Sequence, residues 1–346
     1  MQTSRFGRLP DGREVRIHSL TNRAGAELRF LDYGGIVTSL SMPDRDGRLA
    51  DVVLGFDSLE AYRASRAYFG AITGRVAGRI PRGRLAIDGV VWQLPLNDGE
   101  NHLHGGHSGL DRRLWEVSAV PRTDGAASAT LRYRSPDGEE GYPGNVEITV
   151  TYTLTDANEF IVSSEAISDR STPVSLTHHS YFNLGGEGGD TVLDHEFLIR
   201  GEQVVEMGDD LAPTGRVMPV EGRAGDFRQA RRLGEAVAGL NQGHGDLYLL
   251  PTVRDNRPVV AARACHTLSG RVLTVSTTER CLQFYTGSHL ANSSPGKSGR
   301  GYGRFSGFCL ECQGSSAGLS APGFDDILVR PGEPQRRTTI YAFSTD

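Results

Sequence analysis

Short stretches in which apolar and polar residues alternate recur along the whole chain, and this pattern constrains the fold more than any other feature. Typical examples are Ala26-Glu-Leu-Arg-Phe-Leu, Val146-Glu-Ile-Thr-Val-Thr-Tyr-Thr-Leu and Arg271-Val-Leu-Thr-Val-Ser-Thr. Such alternation puts the apolar side chains on one face of a β-strand. Many of the 44 glycines fall between these stretches, where they favour turns. No helical period is long enough for βαβ units, so the sequence predicts an all-β chain that forms a large antiparallel sandwich or barrel.

The length and the charge of the chain limit its organisation and its partners. We predict one domain over residues 1–346, because no segment resembles a linker and all-β sandwiches of this size often do not divide. A net charge of −5 gives no electrostatic reason to expect nucleic acid or an anionic membrane as a partner. The first residues contain no apolar signal region, and no apolar run approaches membrane-spanning length. We therefore expect a cytoplasmic enzyme.

Two adjacent histidines lie in the apolar stretch Ser175–Leu184, which otherwise has the composition of a buried strand. Neighbouring residues in a strand point to opposite faces, so His178 and His179 cannot both face one cleft. We expect one of them to face a polar cleft and the other to lie in the layer that supports it.

A second histidine cluster is Asn101-His-Leu-His-Gly-Gly-His. His102 and His104 would share a face of a strand, which permits a metal site with His107 nearby. The same residues also suit a glycine-flanked polar loop, or a loop that directs one histidine into a sugar site. These three interpretations remain open at this stage.

Cys309 and Cys312 form a Cys-x-x-Cys motif, which can indicate a redox pair or half of a zinc site. No second such motif exists and no βαβ pattern precedes it. Residues i and i+3 of a strand also point to opposite faces. We therefore interpret the motif as a buried strand that carries two cysteines.

Seven further stretches along almost the whole chain are Gly74-Arg-Val-Ala-Gly-Arg-Ile, Leu103-His-Gly-Gly, Ser135-Pro-Asp-Gly-Glu-Glu-Gly-Tyr-Pro-Gly, His179-Ser-Tyr-Phe-Asn-Leu, Phe284-Tyr-Thr-Gly, Cys309-Leu-Glu-Cys-Gln and Leu328-Val-Arg-Pro-Gly-Glu. In this order they resemble the motifs of the aldose 1-epimerase (galactose mutarotase) family. The resemblance implies a large antiparallel β-sandwich of the galactose mutarotase-like supersandwich type. It also implies an isomerase that interconverts the α and β anomers of a free hexose such as galactose or glucose, with no metal or organic cofactor.

The family's reaction needs a base for the anomeric hydroxyl and an acid for the ring oxygen. By its motif Glu311 resembles the base, and an apolar strand is a place where burial raises the pKa of a carboxyl group. His179 resembles the acid, and His104 resembles the second active-site histidine, which holds the ring oxygen or a nearby hydroxyl. Arg79 resembles the arginine that donates to sugar hydroxyls. Its planar guanidinium group is suited to donate to two neighbouring oxygens.

Three further residues are predicted to contact the sugar. Asp246 resembles the family's aspartate that accepts from sugar hydroxyls, although the family usually has His or Asn after it and this chain has Leu247. Tyr181 and Gln283 are predicted to line the site.

This chain departs from the family pattern in three places. His178 and Gly78 replace asparagines that the family often has, and the segment 314–320 lacks a longer proline-containing pattern. We expect a small-molecule aldose as the substrate and a monomer or homodimer. The alternatives are a same-fold epimerase for a phosphorylated or other sugar, a non-catalytic carbohydrate-binding protein, and a metal-dependent hydrolase built on His102, His104 and His107.

Overall fold

The computed structural model describes residues 1–123, 125–251, 256–291, 295–297, 299–316 and 327–346. Their dominant secondary structure is the β-strand, as the alternating pattern predicts, and the pairs within each sheet are antiparallel. The strands of the first half are β1 (Gln2–Arg8), β2 (Glu14–Thr21), β3 (Glu27–Leu31), β4 (Val37–Pro43), β5 (Leu49–Asp51), β6 (Ile72–Thr73), β7 (Arg79–Ile80), β8 (Arg84–Ile87), β9 (Val90–Gln93), β10 (His102–Leu103), β11 (Glu116–Thr123), β12 (Ala126–Ser135), β13 (Val146–Thr155), β14 (Glu159–Ser168), β15 (Thr172–Pro173) and β16 (Thr177–His178).

The second half continues in the same way. Its strands are β17 (Glu196–Ile199), β18 (Gln203–Met207), β19 (Pro213–Pro219), β20 (Arg231–Arg232), β21 (Leu247–Leu249), β22 (Val259–Cys265), β23 (Arg271–Thr277), β24 (Cys281–Tyr285), β25 (Cys309–Gln313), β26 (Leu328–Val329) and β27 (Gln335–Thr345). The described helices are short: α1 (Leu59–Ala64), α2 (Leu233–Ala236), and single 3-10 turns at Pro81–Gly83, Leu110–Arg112, Glu139–Gly141, Val192–Asp194, Val237–Gly239 and Asn241–Gly243. None of the helices in the described ranges is long and apolar enough to cross a membrane.

Three sheets form the body of the sandwich. The largest has nine strands in the order β11-β12-β13-β14-β27-β23-β22-β17-β20. The two five-stranded sheets have the orders β1-β2-β3-β4-β5 and β19-β18-β21-β24-β25. The short pairs β6–β16, β7–β10, β8–β9 and β15–β26 lie outside these sheets. The chain is thus an all-β sandwich, as the sequence predicts.

Large apolar side chains from all three sheets meet in one core. The Phe30 ring on β3 packs edge-on against Tyr152 on β13, with ring centroids 5.2 Å apart. Phe197 on β17 packs against Phe284 on β24 at 4.8 Å. Complete burial of each such side chain contributes about 1.5–3 kcal/mol, so this core fixes the relative position of the sheets.

Strand register brings distant parts of the chain together at one place. On β24 and β25, Gln283 lies opposite Glu311, and on β7 and β10, Arg79 lies opposite Leu103. His178 pairs with Ile72 across β16 and β6. These pairings bring residues that are far apart in sequence into one neighbourhood.

Candidate active site

A cavity of about 640 Å³ opens beside β25, and the side chain of Glu311 on this strand lines it. Its volume lies in the range of small-molecule sites, and its wall combines aromatic rings with convergent polar groups. Six of the seven side chains that the sequence predicts for the site line this cavity. They are Glu311, His179, His104, Arg79, Tyr181 and Gln283.

Glu311 and His179 form a carboxyl–imidazole pair in the cavity wall. The distance from His179 Nε2 to Glu311 Oε1 is 3.6 Å, and both side chains are almost completely buried. Burial raises the pKa of Glu311 to about 8, although Arg79 opposes the change. Burial also lowers the pKa of His179 to about 4. Each shift favours the uncharged form, as desolvation requires.

His104 is held in a defined tautomer beside this pair. Its ring lies 5.3 Å from the His179 ring, centroid to centroid. The backbone N–H of Gly78 donates to His104 Nδ1 over 3.2 Å, so a neutral His104 carries its proton on Nε2. Burial is the main reason that its pKa lies well below the usual value. His104 is therefore a neutral hydrogen-bond donor.

The backbone around His104 requires glycine. His104 itself is in the left-handed region, with φ of 50°, and Gly105 follows at φ of 92°. A Cβ atom on Gly105 would lie 1.6 Å from the carbonyl oxygen of Gly74. The loop that carries His104 thus packs directly on the segment that leads to Arg79.

Arg79 forms an ion pair with Asp98, and both residues line the cavity. The distance from Arg79 Nε to Asp98 Oδ2 is 2.6 Å. Among the described residues, no hydrogen bond to the two terminal nitrogens of Arg79 is found, so both remain available as donors. Asp98 is a site residue that sequence reasoning missed; its only signal was a turn sequence, Asn97-Asp-Gly, shortly before the second histidine cluster.

Tyr181 and Gln283 take up the predicted positions in the wall. The Tyr181 ring lies 5.1 Å from the His179 ring. Gln283 Nε2 donates to the carbonyl oxygen of Phe284 over 2.8 Å, which fixes the amide beside Glu311. Burial raises the pKa of Tyr181 well above its usual value, so its hydroxyl stays protonated.

The structure does not bring the Asp246 side chain to the cavity. Its Oδ2 lies against the backbone of Gly225. A Cβ atom on Gly225 would be only 2.0 Å from this oxygen. His244 lines the cavity instead, with its ring stacked 4.5 Å from Tyr285. Between these residues Gly245, at φ of 108°, turns the chain. The mismatch at Leu247 was the signal that the motif match was poor here.

His178 lies on the face of the strand opposite His179, as the alternation predicts. It is buried among the rings of Tyr152, Phe160 and Tyr341. Neither ring nitrogen has a hydrogen-bond partner among the described residues. The position that departs from the family pattern is therefore in the core and not in the cavity. Of the third departure, the segment 314–320, residues 317–320 lie outside the described ranges.

The metal site considered for His102, His104 and His107 is not formed. His102 Nδ1 lies 2.7 Å from the carbonyl oxygen of Pro95, and its Nε2 lies 2.8 Å from the Tyr142 hydroxyl, so both nitrogens have partners. In the described part of the chain, a different group could hold a metal: donor atoms of His104, His179 and Glu311 lie within 4.8 Å of one another. Two imidazoles and a carboxylate are a donor set that zinc accepts.

None of the four cysteines forms a disulfide, and all four are buried. Cys309 and Cys312 point to opposite faces of β25, because Cys309 contacts His179 while Cys312 packs in the main core. The structure therefore agrees with the interpretation of the Cys-x-x-Cys motif as a buried strand.

Sequence reasoning also missed Tyr68 and His289, which line the cavity. The Tyr68 ring lies 4.7 Å from the His104 ring. His289 lies 5.7 Å from the His244 ring. Both residues are in connecting segments between strands, and no local pattern distinguished them.

Comparison with known proteins gives a consistent result. The family model described as Aldose 1-epimerase matches residues 16–342. The chain is 41% identical over 340 residues to the galactose mutarotase of Rattus norvegicus. The matched region covers 98% of this chain and 97% of the relative. It is 34% identical over 341 residues to the aldose 1-epimerase of Escherichia coli (strain K12), with 96% of both chains covered.

Solved structures agree with these relatives. A GalM/aldose epimerase homologue from C. elegans superposes with a TM-score of 0.86 at 30% identity, and 95% of this chain and 98% of that chain are covered. Galactose 1-epimerase from Lactobacillus acidophilus NCFM superposes with a TM-score of 0.85 at 27% identity, and 99% of this chain and 98% of that chain are covered. The sequence, the sandwich and the buried carboxyl–imidazole pair thus lead to the same conclusion, and the chain belongs to the aldose 1-epimerase family of isomerases.

Proposed function

We propose that this protein is an aldose 1-epimerase in which Glu311 and His179 exchange protons with a free hexose such as galactose or glucose. The observation that carries the proposal is the 3.6 Å separation of Glu311 Oε1 and His179 Nε2 in the wall of the cavity. The two oxygens that gain and lose protons, the anomeric hydroxyl and the ring oxygen, are bonded to the same carbon. An acid and a base that serve both oxygens must therefore lie close together.

Ring opening and closure use the pair in opposite senses. Glu311 takes the proton of the anomeric hydroxyl, the C1 carbonyl forms, the bond from C1 to the ring oxygen breaks, and His179 protonates that oxygen. After rotation about the C1–C2 bond, the C5 hydroxyl attacks the other face of the carbonyl. His179 then takes the hydroxyl proton and Glu311 returns its proton to the carbonyl oxygen, so the protein ends as it began.

The pair needs one mobile proton for this cycle, and its environment supplies that state near neutral pH. With the pKa of Glu311 raised to about 8 and that of His179 lowered to about 4, the pair holds one proton, which resides on Glu311. When this proton moves from Glu311 to His179, Glu311 is ionised and His179 is protonated, which is the state that ring opening uses. Acid–base catalysis is most effective when such groups can change state at the working pH.

Three polar groups are arranged to hold the sugar. Arg79 offers its terminal nitrogens, and His104 offers Nε2–H as a donor. His244 offers an acceptor, because its Nδ1 lies 3.3 Å from the carbonyl oxygen of Gly245 and carries the proton, which leaves Nε2 unprotonated. The pKa of His244 is lowered to about 3 by burial, so it stays neutral. In this proposal His244, and not Asp246, accepts from a sugar hydroxyl.

Polarimetry tests the function directly. The optical rotation of freshly dissolved α-glucose or α-galactose should reach its final value faster with the protein, both with and without a chelator. Glu311→Gln and His179→Asn should each lower kcat about 10²–10⁴-fold, the usual contribution of one acid–base group. His178→Asn is the matched control, because it changes the adjacent buried histidine on the opposite face and should stay within a few-fold of the wild type.

Three results would contradict the proposal, each in a different way. Sugar binding without acceleration for any free aldose would indicate a carbohydrate-binding protein. Activity lost on chelation would indicate a metal held by His104, His179 and Glu311. Full activity of either Glu311→Gln or His179→Asn would show that the roles are assigned wrongly.

We also propose that the chain acts in the cytoplasm as one domain, in a monomer or a homodimer. The core shared by three sheets supports one folding unit. Light scattering after size exclusion should give one or two chain masses, and thermal unfolding should show one transition. A larger assembly or two separate transitions would contradict these assignments.

A further inference from the structure

Cys309 is the residue of β25 that reaches the second nitrogen of His179. It lies two residues before Glu311 in the strand, so both side chains point to the same face. Its Sγ lies 3.6 Å from His179 Nδ1, and the residue is completely buried. One strand thus supplies a partner to each ring nitrogen of His179: Glu311 at Nε2 and Cys309 at Nδ1.

We propose that Cys309 is a positioning residue whose sulfur accepts the Nδ1–H of His179 and thereby keeps Nε2 as the nitrogen that exchanges the proton with Glu311 and the sugar. This inference rests on the roles proposed above for Glu311 and His179. It assigns Cys309 no contact with the sugar.

The direction of this hydrogen bond follows from the number of protons on the ring. A neutral imidazole carries one N–H, and the nitrogen without it is the acceptor. In the proposed cycle Nε2 alternately takes and gives a proton, so the permanent N–H must be on Nδ1. A proton on Nε2 in the neutral state would leave no lone pair facing Glu311, and ring closure would have no base.

Two acceptors favour the proton on Nδ1. One is Cys309 Sγ, which remains a neutral thiol because burial raises its pKa well above the usual value. The other is the backbone carbonyl of His179 itself. This carbonyl raises the pKa of the ring and so partly offsets the decrease in pKa that burial causes. A carbonyl can only accept, and Nδ1 is the ring nitrogen nearer to the backbone.

A thiol also suits the reversible character of the reaction. A carboxylate beside Nδ1 would stabilise the imidazolium strongly and hold the proton on His179. A sulfur atom is a weak acceptor, so it can select the tautomer while leaving the proton affinity of Nε2 low. The proton can then pass between Glu311 and His179 in both directions.

Two substitutions at Cys309 and one control separate this role from packing. Cys309→Ala removes the acceptor, and Cys309→Ser replaces it with a hydroxyl. Cys312→Ala removes a buried thiol from the opposite face of the same strand and serves as the matched control. The readouts are kcat and KM by polarimetry, and the tautomer of His179 by ¹⁵N NMR of histidine-labelled protein. The His179 signals are assigned by their loss in His179→Asn.

The wild type should show the Nδ1–H tautomer at His179. Cys309→Ala should show a mixture of tautomers and a kcat that is about two- to tenfold lower at unchanged KM, the range that one neutral hydrogen bond provides. Cys309→Ser should recover most of the kcat, and Cys312→Ala should change neither readout. If Cys309→Ala does not fold, Cys309→Val, which keeps the volume, carries the same expectation.

An Nε2–H tautomer in the wild type would overturn the inference. So would an unchanged tautomer and kcat in Cys309→Ala. These failures are distinct from a failure of the proposed function, because that failure appears as full activity in Glu311→Gln or His179→Asn, whatever Cys309→Ala does.

Discussion

At position 311 the fold buries a carboxyl group whose second oxygen, Oε2, has no hydrogen-bond partner among the described residues. An unpaired carboxylate would cost several kcal/mol in such a place, so the group keeps its proton to a higher pH than in water. The neighbouring imidazole responds in the opposite sense, because burial disfavours its charged form. One cause, desolvation, therefore moves the two pKa values apart and leaves one proton for the pair.

The pH dependence of kcat/KM should reveal this shared proton. Below about pH 4 both groups are protonated and no base remains; above about pH 8 both are deprotonated and no acid remains. We expect a bell-shaped profile with limbs near these values and a roughly tenfold change per pH unit beyond each limb. Polarimetry corrected for the uncatalysed rate measures it. A profile that is flat from pH 5 to 10 would contradict the assignment.

At the scale of elements, the site depends on two loops that touch through their backbones. The Gly105→Ala substitution should disrupt this contact, because its Cβ would lie 1.6 Å from the Gly74 carbonyl oxygen and the position has φ of 92°. We expect a loss of about 2–4 kcal/mol in the free energy of unfolding. We also expect kcat/KM to fall at least about tenfold, because His104 and Arg79 would move apart.

A remote glycine provides the control for this prediction. Gly89 has φ of 80° at the tip of the β8–β9 hairpin, and a Cβ there would meet nothing within 4 Å. Gly89→Ala should therefore cost only the left-handed backbone strain, about 1 kcal/mol, and leave kcat/KM unchanged. Equal effects of the two substitutions on unfolding and activity would show that the loop contact is unimportant.

Strand alternation explains how much of the site could be predicted from the sequence. The alternation alone puts His178 and His179 on opposite faces, and the motif around Glu311 identifies the other half of the pair. Asp246 was predicted from the motif match and not from alternation, and its side chain lies outside the cavity wall because Gly245, at φ of 108°, turns the chain just before it. Tyr68 and Asp98 come from connecting segments, whose positions are set by tertiary packing and not by a local period.

At the scale of the whole molecule, the cavity wall is assembled from segments between Phe56 and Ser316. Lys297 connects one of them to the N-terminal five-stranded sheet. Its Nζ lies 2.6 Å from Asp51 Oδ2 and 2.7 Å from the carbonyl oxygens of Thr38 and Val53. Leu290 and Tyr302, which lie on either side of Lys297 in the sequence, line the cavity, so this partly buried ammonium group helps to hold the cavity in shape.

Removal of this connection should weaken substrate binding more than it slows the chemical step. Lys297→Met leaves a carboxylate and two carbonyls without their donor, and we expect a loss of about 2–4 kcal/mol in the free energy of unfolding. KM should rise several-fold while kcat changes little, since Glu311 and His179 are held elsewhere. Arg48→Met, which breaks an exposed ion pair with Asp46, is the control and should cost less than about 1 kcal/mol. A kcat loss that exceeds the KM change would contradict this view.

The buried pair of Glu311 and His179 has one more consequence under the proposed roles. Each half of the reaction leaves the pair in the form that the other half consumes, so a turnover requires no proton from the solvent. The protein opens either anomer with Glu311 as the base and His179 as the acid, and it closes the ring to either anomer with these roles exchanged. It therefore sets only how fast the sugar reaches its own equilibrium mixture, and the composition of that mixture remains a property of the sugar.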